Sequence, residues 1–538
     1  MVYEARGASE FGWYEASLPA KERKQRGHFS TPHALIDQIL DACGYTSSAD
    51  LRHLRLLDPA CGSGNFLACA ARRLGLAAHT WGLDQEQTLA FIQRNLWGLD
   101  PDPVACFLAE MQVRSALEAS YGALPGTFPL HIHQADSLAL FWQPCVDLLL
   151  VNPPYLAARN TDLSHYRRAR RRGQADSYLL FLDLALHVVR PGGWVGLVLP
   201  DPVLARANAM LERAHLLREY TLQHIWHLSG VFAAGVGTVV IIAQKIPPRV
   251  LHRLSWARTR WRPEQRLLAE PQLARQVGQA LLVRQPGAEL RYLLNHKQGR
   301  VVERLRRALH ERARPATGDG WLVPLERLVS IKRGEEIGRA SPALRPQALQ
   351  EDGYPVLRGG VDLRAYARPQ SSLWIERAAV RKPLERYLRP KLLIVKSTER
   401  LQAALDTRGH VALQTLYLLH LREQDESMDT YYFLLALLNS RLLRAYVYHL
   451  HTAYKLVQPQ IEQAVLAHLP VPWGKPDARR EIAERARALE QVCSEASPGV
   501  EWEAYLASLY EAQERAICAL YAAVVPEIVV DKGVMFYG

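Results

Sequence analysis

Ten residues, Asp58-Pro59-Ala60-Cys61-Gly62-Ser63-Gly64-Asn65-Phe66-Leu67, follow the apolar run Arg55-Leu56-Leu57 and open an alanine-rich stretch. A strand that feeds a glycine turn and then a helix is the opening unit of a nucleotide-type α/β fold, with a ligand loop at the strand's carboxyl end. Gly62 and Gly64 allow positive φ and let a ligand approach the main chain, which a Cβ would obstruct. The spacing is not GxGxxG. A dinucleotide would want the third glycine and a helix N-terminus facing its pyrophosphate, whereas a phosphate-free adenosyl cofactor needs only the turn.

The pattern around this loop repeats. From about residue 50 to 245, short runs such as Val146–Val151, Trp194–Leu199 and Thr238–Ala243 alternate with amphipathic stretches, as strands buried on both faces alternate with helices. One helix is expected from Asp176-Ser177-Tyr178 through His187-Val188-Val189, stopping at Pro191-Gly192-Gly193. The fold class is therefore α/β, a doubly wound and mostly parallel sheet, with a second α+β domain and a C-terminal helical tail. Pro247-Pro248 closes the first block. The expected division is an N-terminal extension over 1–19, a catalytic domain over 20–248, a linker with connecting helices over 249–319, a second domain over 320–475 and a helical segment over 476–538. The second domain is expected to carry a long helix around Tyr432 to Leu450.

A chain of 538 residues is too long for one ordinary core. Its formal charge of +12 points to a polyanionic partner, nucleic acid first, because Lys and Arg release counterions from a phosphate backbone. Seven scattered cysteines without CxxC spacing argue against a disulfide framework and a zinc site, so no metal is expected. No window approaches 18 uninterrupted apolar residues, and the first residues lack a basic segment followed by an apolar one. A cytoplasmic protein with no membrane partner is the expectation.

The second chemical signal is Asn152-Pro153-Pro154-Tyr155, directly after the buried run Val146–Val151 and so at the carboxyl edge of the sheet. An aromatic amino group is a poor nucleophile because its lone pair is delocalised into the ring. A site recovers it by accepting both N–H bonds, and the Asn152 side-chain oxygen with the Pro153 carbonyl can do so on a loop stiffened by two prolines. Tyr155 offers a face for a base, a contact worth about 1–3 kcal/mol.

With Gly27-His28-Phe29-Ser30-Thr31-Pro32 upstream, these segments stand in the order of the γ class of amino-methyltransferases, and the chain resembles the TaqI-like DNA adenine-N6 methyltransferases. The resemblance implies S-adenosyl-L-methionine as cofactor, with Asp58, Ala60, Gly62, Gly64, Asn65, Phe66 and Asn152 at its loop and Phe29 and Thr31 bordering its methionine moiety. A carboxylate after the second strand should hold the ribose hydroxyls. Asp84 and Asp100 both stand in Gly-Leu-Asp, and Asp100 is preferred because it alone precedes a helix in the family's Asp-x-Asp-Pro-x-Ala manner. Asp136 resembles the family residue that accepts the cofactor's adenine amino group. A base in a duplex must be flipped out to reach this loop, and Phe232 matches the family position packing against it, opposite Tyr155. Arg167, Arg168, Arg170, Arg171 and Arg172 form a basic run suited to flanking phosphates.

Lys391–Lys396, Ala404–Gly409, Leu437–Ser440 and His468–Pro472 resemble scaffold turns of TaqI-like recognition domains, while Arg333, Arg358 and Lys396 are unassigned candidates for base contact. The expected partner is double-stranded DNA. Asn152 favours adenine, since cytosine-N4 enzymes of this group usually carry Ser there. Two other readings stay open: an N5-glutamine protein or ribosomal-RNA amino methyltransferase, and a non-enzymatic cofactor- and DNA-binding subunit of a defence complex. The segment before Gly27 is read as too short for a nuclease domain, so any cleavage would belong to a separate restriction or defence subunit.

Overall fold

A computed structural model of the chain describes residues 29–125, 128–156, 162–166, 176–232, 237–291, 297–310, 320–338, 341–346, 353–422, 427–457, 459–474, 476–495 and 500–525. They divide into two compact units at residues 292/293.

The first unit is one nine-stranded sheet of β1 (Leu56–Asp58), β2 (Leu96–Asp100), β3 (His131–Gln134), β4 (Val146–Val151), β5 (Val189–Pro200), β6 (Thr221–Ser229), β7 (Thr238–Gln244), β8 (Arg253–Arg260) and β9 (Ala274–Gly278). The order is β3-β2-β1-β4-β5-β7-β6-β8-β9. Strands β1 to β5 pair in parallel, and β7 runs antiparallel between β5 and β6. Its helices are α1 (His33–Ala42), α2 (Asn65–Thr80), α3 (Gln85–Asn95), α4 (Pro103–Tyr121), α5 (Ser177–Val188) and α6 (Met210–Glu219). Chain direction across the sheet reverses between β1 and β4, which leaves a crevice at their carboxyl ends.

Two glycines let layers close on the crevice. Gly64 caps α2 at φ +92°, and a Cβ there would lie 2.6 Å from the Cα of Ala109 on α4. Its small size therefore serves helix packing, whereas ligand approach was the expected reason. A Cβ on Gly196 of β5 would lie 2.8 Å from Ile39 of α1. Below them Leu56, Leu148, Leu150, Val198, Val240 and Ile242 form a core with Leu35, Ile39, Leu67 and Val113.

The helix expected after Asp176 is α5, and the glycines expected to follow it fall within β5, which starts at Val189 opposite Val146. Residues 249–319 are not a linker throughout. β8 pairs with β6 and β9 with β8, extending the sheet beyond Pro248. Leu254, Trp256 and Ala257 are buried, Ala257 within the core, while Arg253 and Arg260 stay exposed at the strand ends.

The second unit contains β10 (Gly320–Pro324), β11 (Val329–Arg333), β12 (Leu344–Arg345), β13 (Gly353–Leu357), β14 (Leu373–Glu376), β15 (Lys391–Val395), β16 (Ala403–Asp406), β17 (Val411–Ala412), β18 (Leu416–Leu421) and β19 (Pro470–Gly474). They form sheets β11-β18-β15-β16 and β12-β14-β13-β17, and the pair β10-β19. Helices α7 (Lys297–His310), α8 (Met428–Asn439), α9 (Arg441–Leu450), α10 (Pro476–Ser494) and α11 (Val500–Val524) accompany them. The long helix expected around Tyr432–Leu450 is broken at Ser440, whose hydroxyl accepts from the Leu443 N–H and caps α9. Ile482, Ala486, Leu489, Ile517 and Tyr521 of α10 and α11 share one core with α8, so these helices are built into the unit. Among the described residues no helix is long and apolar enough to cross a membrane.

Candidate active site

A pocket of about 610 Å³ opens at the carboxyl ends of β1, β2 and β4. Phe29, Thr31, Asp58, Ala60, Gly62, Asn65, Phe66, Asp100, Asp136, Asn152 and Pro154 all line it. Gly64, Pro153, Tyr155 and Phe232 do not. Arg167, Arg168, Arg170, Arg171 and Arg172 lie outside the described residues.

The floor is a set of carboxylates tied to main-chain N–H groups. Asp100 accepts from Gly62 N at 3.0 Å and from Asp102 N at 2.9 Å, so it clamps the glycine loop to the end of β2. Asp84 stands elsewhere: with Gln87 it forms a capping box at the start of α3, its carboxylate accepting from Gln87 N at 2.8 Å. Asp58 is buried and accepts from Ala60 N at 3.1 Å. Burial pushes its carboxyl up to about 8 despite that bond, and Asp100 adds to the rise. Burial likewise holds the Cys61 thiol protonated, far from a thiolate nucleophile.

At the other end of the pocket Asp136 accepts from Leu138 N at 3.0 Å and from the Tyr166 hydroxyl at 2.6 Å. Tyr166 lines the pocket with Leu163, and neither was singled out from sequence. Asn65 donates to Ser30 Oγ at 2.6 Å and to the Thr31 carbonyl at 3.0 Å, and accepts from Gln112 of α4 at 3.1 Å. Gln112 was missed as well. A lone glutamine beside buried Val113 on an apolar helix face was its one sequence signal.

Asn152 follows β4 directly. Its Nδ2 donates to the carbonyl of Phe29 and, at 3.0 Å, to Thr31 Oγ1. A carbonyl can only accept, so this contact fixes which end of the amide is nitrogen. Both amide hydrogens are then used, and no described residue donates to Oδ1 or to the Pro153 carbonyl. The next carbonyl, that of Pro154, is taken by the Ser177 hydroxyl, and Ser177 Oγ also accepts from Leu156 N at 2.8 Å. The start of α5 thus holds the loop's far side.

Tyr155 donates to the Val198 carbonyl at 3.2 Å, and burial lifts its hydroxyl well above the ordinary tyrosine range. Its ring lies 6.1 Å from Phe29 and 6.5 Å from Phe232, the latter edge-on at 75°. Phe29 and Phe232 are 5.6 Å apart, and Phe232 is 6% exposed. Two opposed faces were expected. A base sandwiched between two rings needs parallel planes about 7 Å apart, twice a van der Waals contact, whereas here the three rings form a triangle in which Tyr155 meets Phe232 edge-on.

Sheet order, the glycine loop after β1 and the crevice between β1 and β4 define a class I methyltransferase domain. Residues 13–249 match the N-6 DNA Methylase family, and residues 354–471 match the TaqI-like C-terminal specificity domain. The chain is 26% identical over 256 residues to the Type II methyltransferase M.XhoI of Xanthomonas vasicola, covering 44% of this chain and 46% of that protein. It is 25% identical over 216 residues to M.BstVI of Geobacillus stearothermophilus, covering 38% of each. The chain therefore matches less than half the length of these curated relatives. Among solved structures it is similar in fold to the Type IIL restriction-modification enzyme MmeI in complex with DNA, with TM-score 0.64, 15% identity, and coverage of 96% of this chain and 79% of that one. The chain thus combines, in order, a segment similar to the N-6 DNA Methylase family and a segment similar to the TaqI-like C-terminal specificity domain.

Proposed function

We propose that the chain transfers a methyl group from S-adenosyl-L-methionine to the N6 amino group of an adenine flipped out of duplex DNA. Its setting is a cytoplasmic restriction-modification or other anti-phage defence system. The observation that carries this reading is the Asn152 amide, whose N–H groups are committed to Phe29 and Thr31 while Oδ1 is left as an acceptor beside Pro153.

The pocket residues fit the cofactor. The volume lies in the range of small-molecule sites. Asp100 lines the pocket at the end of β2, where a ribose would sit, Asp136 lines it where an amino group would be accepted, and buried Asp58 is a carboxyl that a cation would ionise. When bound, the cofactor supplies a methyl on a positive sulfonium. Asn152 Oδ1 and the Pro153 carbonyl accept the two N–H bonds of the target amine, which steers its lone pair toward that methyl. Phe29 and Thr31 hold the amide in this orientation, and Tyr155 offers its face to the base. The base enters against Tyr155 by displacing the ring of Phe29 or Phe232. The first unit carries catalysis and the second supplies specificity, with the border near residue 292 and the linker thereby shortened.

Base-resolution methylation mapping of DNA from cells expressing this single chain tests the reading. Adenine-N6 marks at a recurrent sequence are expected; unmodified DNA from cells in which the protein is soluble and binds cofactor contradicts it.

A further inference from the structure

The second unit holds a pocket of about 670 Å³ that the proposed transfer does not use. Ser330 and Lys332 of β11, Arg386 and Arg389 around the helical turn Glu385–Leu388, and His420 and Arg422 at the end of β18 build its wall. Four cationic side chains thus meet there with one acid, Glu385, which is 80% exposed and 3.8 Å from Arg389.

Three of these cations, Lys332, Arg386 and Arg422, have no carboxylate partner among the described residues. Lys332 is exposed and has no ion pair among the described residues. Arg422 Nε donates only to the backbone carbonyl of Glu326, at 3.0 Å. Arg386 reaches the Arg333 carbonyl at 3.3 Å, and its Nε is buried without an acceptor. His420 is 5% exposed, and its Nε2 lies 2.8 Å from the Arg386 carbonyl. That partner can only accept, so Nε2 carries the hydrogen and Nδ1 is left buried with no partner. Burial, followed by the nearby Lys332, Lys391 and Arg389, holds His420 down at about 4 despite the bond to Arg386.

A pocket that gathers like charges and leaves buried polar atoms unsatisfied is costly by itself. An oxyanion offsets the gathered charge, since guanidinium forks match phosphate oxygens, and its negative charge favours the protonated form of His420. We propose that this pocket is a phosphate-binding site, taking a phosphoryl group on Lys332, Arg386 and Arg422, with the backbone of duplex DNA as its source. For that source it rests on the functional reading above; the phosphate chemistry stands on the pocket's own residues.

The test uses the full chain and a Lys332→Ala/Arg422→Ala double variant, both positions being exposed. Duplex affinity is measured across a salt series, and inorganic phosphate is titrated calorimetrically. The variant is expected to bind matched and unrelated duplexes more weakly by the same factor, and to lower the slope of log K against log salt by about one. Phosphate binding seen with the wild type should be lost. The charge-keeping Lys332→Arg/Arg422→Lys pair should restore the slope, which separates loss of charge from loss of fold. An unchanged slope with lost phosphate binding keeps the site and moves its source to a free phosphate or nucleotide. An unchanged slope with phosphate binding absent or unaltered overturns the proposal. A wild-type chain that binds no duplex contradicts the functional reading instead, and the phosphate titration still decides the pocket.

Discussion

The side-chain amide of Asn152 donates to the carbonyl of Phe29, 123 residues earlier in the chain, and that contact orients the acceptor of the proposed reaction. It predicts that Asn152→Asp fails even though the residue keeps its shape and an acceptor oxygen. A carboxylate has no N–H for Phe29 and places like partial charges together. The rate of transfer should fall by about 10²–10³-fold, the typical cost of losing one oriented polar group in a site, while cofactor affinity changes far less. Single-turnover rates at saturating cofactor measure this; a variant within a few-fold of wild type would show that the Phe29 contact does not matter.

Asp58 predicts a proton released on cofactor binding. Its carboxyl is pushed up to about 8, so at pH 7 it is mostly protonated in the free protein. A cation beside it lowers that value, the group ionises, and affinity should rise with pH until about 8 and then level off. Calorimetry at pH 7 in buffers of different ionisation enthalpy should report close to one proton released by wild type and none attributable to this group in Asp58→Asn. Equal release by both would contradict the assignment.

Gly64→Ala tests the packing account of the glycine loop. The substitution places a side chain at φ +92° and a Cβ 2.6 Å from Ala109 Cα, so both backbone strain and overpacking apply. A loss of about 2–4 kcal/mol in the stability of the first unit is expected, read from denaturant midpoints. An added Ala109→Gly removes the Cβ contact at 2.7 Å but leaves the Cα at 2.6 Å, so it should recover only a small part of the loss.

In the second unit Lys391 is fully buried and pairs with buried Asp406 at 2.6 Å, and Asp406 also accepts from His410 Nδ1 at 2.9 Å. Lys391→Met leaves that carboxylate without its buried cation and should cost about 3–5 kcal/mol, whereas replacing both partners by apolar residues should cost far less. Against the burial that opposes it, the His410 hydrogen bond and then the Lys391 charge hold the Asp406 carboxyl down at about 2. Its contribution is therefore present above the unfolded value near 4 and disappears as pH falls toward 2. Thermal unfolding across pH 2 to 5 should show this loss in wild type and not in the double replacement.

Local patterns made much of this site readable. The glycine loop, Asp100 and Asn152-Pro153-Pro154-Tyr155 each sit at the end of a strand whose buried run is visible in sequence, so their convergence on one crevice follows from the fold class. What joins Asn152 to Phe29, Asn65 to Gln112 and Asp136 to Tyr166 are contacts between distant segments, and no spacing encodes them. β8 and β9 were hidden for a different reason. They extend the sheet beyond β6, and in β9 Val277 alone is buried, so arginine and glutamine dilute the apolar pattern. Arg358, offered from sequence as a base reader, is held by both oxygens of Asp362 at 2.9 Å and by Ser372, which makes it part of the scaffold.

The most direct measurement is the identity of the methylated nucleoside. Purified wild-type chain is incubated with duplex DNA carrying its mapped target and S-adenosyl-L-methionine labelled in the methyl group, and the DNA is digested to nucleosides and separated. The account predicts label in N6-methyldeoxyadenosine, and none from an Asn152→Ala protein that still binds the cofactor. Label in N4-methyldeoxycytidine, or equal adenine labelling by the Asn152→Ala protein, would contradict it.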